Sequence, residues 1–329
     1  MNGNEPKVTA RHNGDGTAPF GTAGRLGVTA RLSAVVRRDA ELYLMVLPAV
    51  IFFIIFHYGP IYGLQIAFKD FRAVEGIWGS PWVGLKHFQR FFSSYRFWTL
   101  LKNTLGIAVY DLVAGFPVPI VFALLLNQLR FKRFKKFLQT VTYAPHFISV
   151  VVIAGMIQIF LSPRVGIINT FLGALGVEPV FFLGRPELFK SVFVLSGIWQ
   201  HFGWSSIIYI AALSAINPEL YEAATVDGAT KLQRVVNIDI PGITPTMVIL
   251  LILNVGHFMQ VGFQKILLLQ NPMNLSSSEV IETYVYKTGI LDAQYSYSAA
   301  IGLFNALINV VLLVSVNRVA RTLSETSLW

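Results

Sequence analysis

Six long apolar segments constrain the fold of this chain more than any other feature of its sequence. Each reaches the roughly 20 residues that a helix needs to cross a lipid bilayer. Hydrophobic residues make up 54% of the 329 residues, charged residues make up 13%, and the mean hydropathy is +0.59, which excludes a soluble domain of this size. We therefore predict an all-α, polytopic membrane protein with about six transmembrane helices. The predicted segments cover approximately Tyr43–Ala67, Leu100–Leu126, Phe137–Leu161, Phe189–Ala212, Pro245–Leu269 and Tyr297–Ala320.

The basic residues indicate how these segments cross the membrane. Residues 1–40 lack a periodic pattern, so we predict a largely disordered, basic cytoplasmic tail before a transmembrane domain over residues 41–329. A dense basic cluster at 130–136, between the second and third segments, is expected to stay in the cytoplasm. Alternation then places both termini on the cytoplasmic side, although the first outer loop is basic as well. Because the basic residues cluster beside apolar segments, the net charge of +9 favours anionic lipid over nucleic acid as their partner.

A polar stretch at 217–241 separates the fourth apolar segment from the fifth. It is too polar to cross a bilayer, and the same alternation places it in the cytoplasm. Asn217 is a good N-cap, and Pro218 suits the first helical position. Glu219 and Glu222 follow in the first turn, where carboxylates complement the helix dipole. We therefore predict a short helix that begins here.

The second half of the polar stretch predicts a turn and another helix. Asp227-Gly228 is typical of a turn, because glycine accepts backbone angles that other residues resist. The segment Ala229–Ile238 is then predicted to form a second helix that Pro241 ends. The stretch is thus expected to be a compact helix-turn-helix element with a small apolar face that a groove of a partner protein admits.

The spacing within this stretch resembles the EAA loop of ABC-importer permeases. The pattern is Glu-Ala-Ala, three residues, Gly, nine residues, Ile, one residue, an aliphatic residue and Pro. The Asp-Gly-Ala sequence around this glycine is frequent in the sugar-transporting branch. Polysaccharide-importer permeases of the LplB type have segments similar to two further runs, Phe68-Lys69-Asp70-Phe71 and Pro145-His146-Phe147. Importers of alginate are among the permeases of this type. The matching loop residues are Glu222, Ala223, Ala224, Asp227, Gly228, Ala229, Ile238, Ile240 and Pro241.

The resemblance implies a transport subunit with the fold of a type I ABC-importer permease, in a bacterial cytoplasmic membrane. Its partners would be a different second permease, two copies of an ABC ATPase and an extracytoplasmic sugar-binding protein. The chain itself has no Gly-x-x-x-x-Gly-Lys-Ser/Thr loop, so we expect no cofactor in it and place ATP and Mg²⁺ on the ATPase subunits. The expected ATPase-docking residues are Glu222, Ala223, Ala224, Asp227, Gly228, Ala229 and Pro241.

Polar and aromatic residues within the apolar segments predict the pathway of the substrate. Each costs free energy in lipid unless it faces protein or a wet cavity, and sugar sites combine aromatic walls with a few amides. Such residues also serve as bonds between helices or as interface anchors. No residue of these segments distinguishes alginate-like, xylan-derived and pectin-derived oligosaccharides as the substrate. The candidate residues are Trp199, Trp204, Tyr209, Asn254, His257, Gln260, Gln264 and Asn305.

Three charged or ionisable residues within the segments suggest further roles. We expect Asp111 to pair with a basic residue of a neighbouring subunit and His146 to make a structural hydrogen bond. A basic cavity would favour uronic sugars, but Lys265 is the one lysine or arginine expected near the outer half of the fifth segment, and a single residue does not select that class.

Two other functional classes fit the sequence less well. An ion-coupled secondary transporter of a small solute is expected to show internal repeats, broken helices or several intramembrane carboxylates. The sequence has one such carboxylate, Asp111, and no evident repeat. A membrane enzyme needs a nucleophile or a metal constellation, and neither His-Glu-x-x-His nor Gly-x-Ser-x-Gly occurs. The chain has no cysteine, so thiolate metal sites are excluded. We therefore expect no catalytic residues and no metal site.

Overall fold

The structure of the protein is a computed structural model, and it describes residues 40–323. Apart from its last residue, the tail predicted for residues 1–40 lies outside the described part. The described chain divides into two compact units, residues 40–62 and residues 63–323.

Helices form nearly all of the described chain, which confirms the predicted all-α class. Its one isolated β-bridge joins Lys69 and Trp82. Several helices contain or continue into a π turn, among them Val235–Asp239 within α9 and Lys287–Leu291 after α11. The helices are α1 (Ala40–Phe68), α2 (Lys86–Phe92), α3 (Phe97–Asn127), α4 (Lys132–Phe147), α5 (Val150–Phe160), α6 (Ile167–Ala174), α7 (Pro186–Ser214), α8 (Pro218–Val226), α9 (Lys231–Gly256), α10 (Phe263–Leu269), α11 (Ile281–Tyr286) and α12 (Tyr295–Leu323), with single turns at Gly76–Gly79, Phe182–Gly184 and Leu275–Ser278.

Four of the described helices, α1, α3, α9 and α12, are long and apolar enough to cross a membrane, and the bent pair α4–α5 would make a fifth. Helix α7 has 29 residues, but Gln200, His201 and two neighbouring serines make its middle less apolar than the other four. The total of six spans therefore stays a prediction.

The third apolar segment is not the single straight helix that the sequence predicts. Helices α4 and α5 are bent by 102° at Ile148–Ser149. Pro145 lies in a 3₁₀ turn just before the bend, and the side chain of Ser149 caps α5 by accepting from the backbone N–H of Val152. The 11 residues of α5 rise only about 17 Å, so α5 alone is too short to span a bilayer.

The prediction that Pro241 ends the second loop helix is wrong. Helix α9 begins at Lys231 and continues without interruption to Gly256. The π turn Val235–Asp239 directly precedes Pro241, and its wider hydrogen-bonding pattern accommodates a residue that lacks an N–H. The loop and the fifth span are therefore mechanically continuous. The span also ends earlier than predicted, and the chain resumes as α10 after a break at 257–262.

Helix α3 contributes to each of the apolar clusters found in the described core. Its residue Ile107 packs in a cluster with Phe189 of α7, together with residues of α5 and α10. Leu100 belongs to a second cluster with α2, α11 and α12. Ala123 joins α7 and α9 in a third cluster. Helices α3 and α7 thus form the framework that holds the broken helices in place.

Replacing Gly203 with Val is expected to disrupt the crossing of α4 and α7. A Cβ atom at this position would lie 2.6 Å from the backbone carbonyl carbon of Thr142, so the two helices must move apart. We expect a loss of about 1–3 kcal/mol of stability, typical of overpacking, measured as a lower thermal midpoint of the purified protein. Gly155→Ala is the control, because nothing lies within 4 Å of its added Cβ. An unchanged midpoint for Gly203→Val would contradict the packing described.

Candidate functional site

The loop between α7 and α9 folds much as its residues predict. The side chain of Asn217 accepts from the backbone N–H of Glu219 at 3.0 Å and so caps α8. Gly228 has a φ of +73°, which provides the turn that glycine allows. Thr230 and Gln233 form a capping box at the start of α9, a Thr-x-x-Gln signature that is visible in the sequence.

The predicted docking residues form an accessible surface on this loop. Ala224 and Ala229 are half-buried, and the others are exposed. Two large apolar side chains lie exposed beside them, Val226 and Leu232, with 89% and 72% of their surface accessible. The exposed residues are Glu222, Ala223, Asp227, Gly228 and Pro241.

A buried carboxylate attaches the loop to the end of α3. Asp239, in the π turn of α9, has no exposed surface. Its carboxylate accepts from the hydroxyl of Tyr221 in α8, from Gln128 Nε2 at 3.0 Å and from Asn127 Nδ2 at 3.5 Å. Three neutral donors therefore stabilise the carboxylate of Asp239, and none of the described residues forms an ion pair with it.

The hydroxyl of Tyr221 is a dependable donor in this network. Burial, together with the hydrogen bond to Asp239, raises the pKa of Tyr221 to about 12. The hydroxyl therefore keeps its proton throughout the physiological pH range and donates to the carboxylate.

The second candidate site is a cavity of about 1120 Å³ between α3, α7, α9 and α10. Most of its polar lining comes from α7 and from the break between α9 and α10. Its size suits a ligand of several sugar units, because ligand pockets span roughly 300–1,000 Å³. Six of the eight predicted pathway residues line it, namely Trp204, Tyr209, Asn254, His257, Gln260 and Gln264.

The remaining two predicted pathway residues lie elsewhere. Trp199 does not line the cavity, and 45% of its surface is exposed. Asn305 lines a smaller cavity of about 430 Å³, which also contacts Phe263 and Glu282. The difference arises from rotation about the helix axis. Trp199 and Trp204 are five residues apart, so they point to different sides of α7.

Both broken helices meet the large cavity at their breaks, where side chains satisfy the freed backbone groups. Gln200 Nε2 donates to the carbonyl of Ile148 at 3.2 Å, at the α4–α5 bend. Asn309 Oδ1 accepts from the backbone N–H of Met259 at 2.9 Å, between α9 and α10. The breaks are therefore built features of the cavity wall.

The charged residues of the cavity are mixed in sign. Asp111, Glu282 and Lys265 all line it. Lys265 Nζ donates to the carbonyl of Phe193 at 3.2 Å and interacts electrostatically with Asp111. The expectation that Asp111 pairs with a basic residue of a neighbouring subunit stays a prediction, and within the chain Lys265 is the charged group that interacts with it electrostatically. Their separation in sequence hides this relation.

His146 does make the structural hydrogen bond expected of it. Its Nδ1 lies 3.1 Å from Nδ1 of His201, so one of the two rings donates and the other accepts. The His146 ring also stacks on Trp204 with a centroid distance of 4.6 Å. These contacts hold the α4–α5 bend against α7.

Sequence reasoning missed the functional pairing of Asp239 with Tyr221. The available signal was a carboxylate between two isoleucines directly before a proline, which is unusual in a segment leading into a membrane. It also missed Glu282, which the sequence places in a polar outer loop with nothing to indicate that it contacts the cavity.

Comparison with known proteins gives a consistent result. The family described as "Binding-protein-dependent transport system inner membrane component" matches residues 115–325. The chain is 44% identical over 299 residues to the polygalacturonan/rhamnogalacturonan transport system permease protein YteP of Bacillus subtilis (strain 168), covering 91% of this chain and 93% of that protein. It is 38% identical over 312 residues to Protein LplB of the same organism, covering 95% and 97%.

Solved structures with the same fold are similar in sequence as well. One is a chain from a bacterial ABC transporter involved in the import of the acidic polysaccharide alginate, with a TM-score of 0.84 and 42% identity, covering 89% of this chain and 99% of that chain. The other comes from a bacterial alginate ABC transporter in complex with an alginate pentasaccharide-bound periplasmic protein. Its TM-score is 0.84 and its identity 41%, covering 91% and 100%.

Replacing Tyr221 with Phe is expected to loosen the loop, because it removes one donor from the buried carboxylate of Asp239. Leaving such a group short of a partner costs about 1–3 kcal/mol. Hydrogen–deuterium exchange over residues 217–241 should therefore accelerate. Thr225→Ala on the same helix is the control, since it removes two exposed hydrogen bonds, from Thr225 Oγ1 to the Tyr221 carbonyl and from Arg234 Nη1 to Thr225 Oγ1, and leaves the donors to Asp239 in place. Equal exchange in both variants would show that Asp239 does not anchor the loop.

Proposed function

This chain belongs to the family of inner membrane components of binding-protein-dependent transport systems, and from that premise we propose that it is a permease subunit of an ATP-driven importer of acidic oligosaccharides. The resemblance to LplB-type permeases is confirmed by the relatives. The type I importer fold is confirmed by the solved structures. Family membership also removes the reason to retain an ion-coupled secondary transporter.

The cavity is the observation that carries this proposal. It combines the indole of Trp204 and the phenol of Tyr209 with the side chains of Asn254, Gln260 and Gln264. Aromatic faces cover the C–H faces of a pyranose ring, and amides bond to hydroxyl groups, which is the mixture that an oligosaccharide requires.

The acidic class of substrate is supported by the relatives and by one residue. Alginate is described as an acidic polysaccharide, and polygalacturonan is by its name a polymer of a uronic acid. Among the residues of this chain that line the cavity, Lys265 is the one lysine or arginine, so we assign it to the sugar carboxylate. Asp111 and Glu282 also line the cavity, so Lys265 offers the sugar a single local contact and the cavity as a whole is not basic.

The partners follow from the family and from the accessible loop. We propose that a second permease completes the pathway, that two ATPase subunits bear ATP and Mg²⁺ and bind the loop at 217–241, and that an extracytoplasmic binding protein delivers the sugar. The complex with a sugar-bound periplasmic protein supports the last of these. Both termini and the loop lie on the cytoplasmic side in this scheme.

Alternating access is the mechanism we propose. Closure of the ATPase subunits on ATP moves the exposed loop, and the motion passes into the spans along two routes. One route is α9 itself, which continues from Lys231 into the membrane. The other is the bond network of Asp239, which ties α8 and α9 to the end of α3. Because α3 and α9 both line the cavity, their movement changes the access to it.

Gly228→Arg and Glu222→Lys are expected to uncouple ATP hydrolysis from uptake, because both place bulk or reversed charge on the ATPase-docking surface. Uptake in reconstituted vesicles should fall at least tenfold while the permease remains folded. Gly176→Arg is the matched control, since Gly176 also has a positive φ and open space around it but lies outside the loop. Normal uptake by the Gly228→Arg complex would contradict the coupling role.

Asn254→Ala and His257→Ala are expected to weaken sugar uptake, because each removes a polar group from the cavity wall. We expect the KM for uptake to rise several-fold per substitution, in line with about 1 kcal/mol per lost hydrogen bond. Trp199→Ala is the control, because Trp199 lies outside the cavity. Trp204→Ala, on the same helix but in the cavity wall, should reduce uptake strongly. If both polar variants transport normally, the substrate does not contact this part of α9.

A further inference from the structure

The smaller cavity, of about 430 Å³, lies between α10, α11, the π turn that follows α11, and α12. Phe263 and Glu282 line both this cavity and the large one, so the two cavities share a wall. Ligand pockets span roughly 300–1,000 Å³, and the smaller cavity lies near the lower end of that range. It therefore has room for one unit of a longer ligand.

Two acceptor atoms in the wall of the smaller cavity have no hydrogen-bond partner among residues 40–323. They are Oε2 of Glu282 and Oδ1 of Asn305, and both atoms are buried. A buried polar atom without a partner costs free energy, and the cost is larger where lipid rather than water surrounds the protein. Two such acceptors in one wall indicate a ligand that supplies hydrogen-bond donors.

Aromatic rings form the wall beside the carboxylate. The ring centroids of Phe263 and Tyr286 lie 5.1 Å apart, and both residues line the smaller cavity. Tyr286 is four residues after Glu282, so the two side chains share one side of the chain in α11. The cavity thus combines an aromatic surface, a carboxylate and an amide.

The wall that α12 contributes leaves space between these groups. Ser298, Gly302 and Asn305 are spaced at i, i+4 and i+7, so they share one side of α12. A Cβ atom added to Gly302 would meet no atom within 4 Å. The glycine therefore keeps the middle of the cavity open, with the amide of Asn305 one turn further along the helix.

We propose that the smaller cavity is a second sugar subsite, which binds the hydroxyl edge of one pyranose unit while the rest of the oligosaccharide lies in the large cavity. This inference rests on the function proposed above. Apolar walls with a few placed polar groups are typical of ligand sites. A hydroxyl group both donates and accepts, so it suits the carboxylate of Glu282 and either orientation of the Asn305 amide.

Glu282 also determines which edge of a uronic unit enters the subsite. The carboxylate of the sugar would be repelled by the like charge of Glu282. The hydroxyl groups across the ring from that carboxylate are the donors that the two unpartnered acceptors require. Lys265, in the wall of the large cavity, then contacts a carboxylate of the same oligosaccharide. The two cavities thus recognise different groups of one acidic sugar.

Filling the smaller cavity tests the subsite. The variants Gly302→Val and Gly155→Val are assembled into the importer, and the uptake of uronic tri- and pentasaccharides is measured, from alginate or polygalacturonan, whichever the parent complex takes up faster. Gly155→Val is the matched control, because an added Cβ also meets nothing within 4 Å and Gly155 lines neither cavity. We expect Gly302→Val to lower uptake of the pentasaccharide about fivefold more than uptake of the trisaccharide, which the large cavity holds alone.

Equal losses for the two sugar lengths, or no loss with Gly302→Val, would overturn the subsite while the parent complex still transports the sugar. A parent complex that takes up neither sugar would contradict the proposed function itself, and the subsite with it. The two failures are therefore distinguishable by the parent complex alone.

A single introduced thiol reports directly whether sugar occupies the smaller cavity, because the chain has no cysteine. Asn305→Cys is assembled into the importer with its binding protein, and its reaction with a water-soluble maleimide is followed with and without the same pentasaccharide. We expect the sugar to slow the labelling of this chain about fivefold or more, since a bound pyranose unit excludes the reagent. A thiol that reacts equally fast with and without the sugar, or that never reacts, would overturn the proposal.

Discussion

The lack of water in the bilayer determines where this chain can depart from regular helix. A backbone group that is freed in lipid costs several kcal/mol unless the protein supplies a partner. The two main departures, at Ile148–Ser149 and at 257–262, both border the large cavity, and both are repaired from neighbouring helices. Gln200 serves the first, and Asn309 serves the second. The polar cavity and the broken helices are therefore consequences of one another.

The Asp239 network extends the same principle to the loop. A carboxylate with no exposed surface requires several donors. Here three donors come from two places in the sequence: Tyr221 of α8, and Asn127 and Gln128 at the end of α3. Satisfying this charge fixes the position of the loop relative to the spans. An element that must transmit motion is in this way attached to the cavity helices at a defined point.

The sequence predicts best those features that depend on local pattern. The helical class, the Asn217 cap and the Gly228 turn follow from hydropathy and backbone chemistry, and six of the predicted pathway residues line one cavity. The break at Ser149 and the passage of α9 through Pro241 could not be predicted, because tertiary partners and a π turn offset the local preference. The same holds for Asp111 and Lys265, which are distant in sequence. Trp199 and Asn305 do not line that cavity, because hydropathy does not fix the rotation of a helix.

In the function proposed for this permease, acidic oligosaccharides enter the large cavity, and Lys265 in the cavity wall contacts the carboxylate of the sugar. The most direct measurement is the ATPase activity of the assembled importer in vesicles, with its binding protein, across oligosaccharides of equal length that differ in carboxylate content. We predict stimulation by uronic oligosaccharides and little by their neutral counterparts, with the preference reduced by Lys265→Gln. Equal stimulation by neutral and uronic sugars would contradict the acidic substrate, and no stimulation by any sugar would contradict the transport of oligosaccharides.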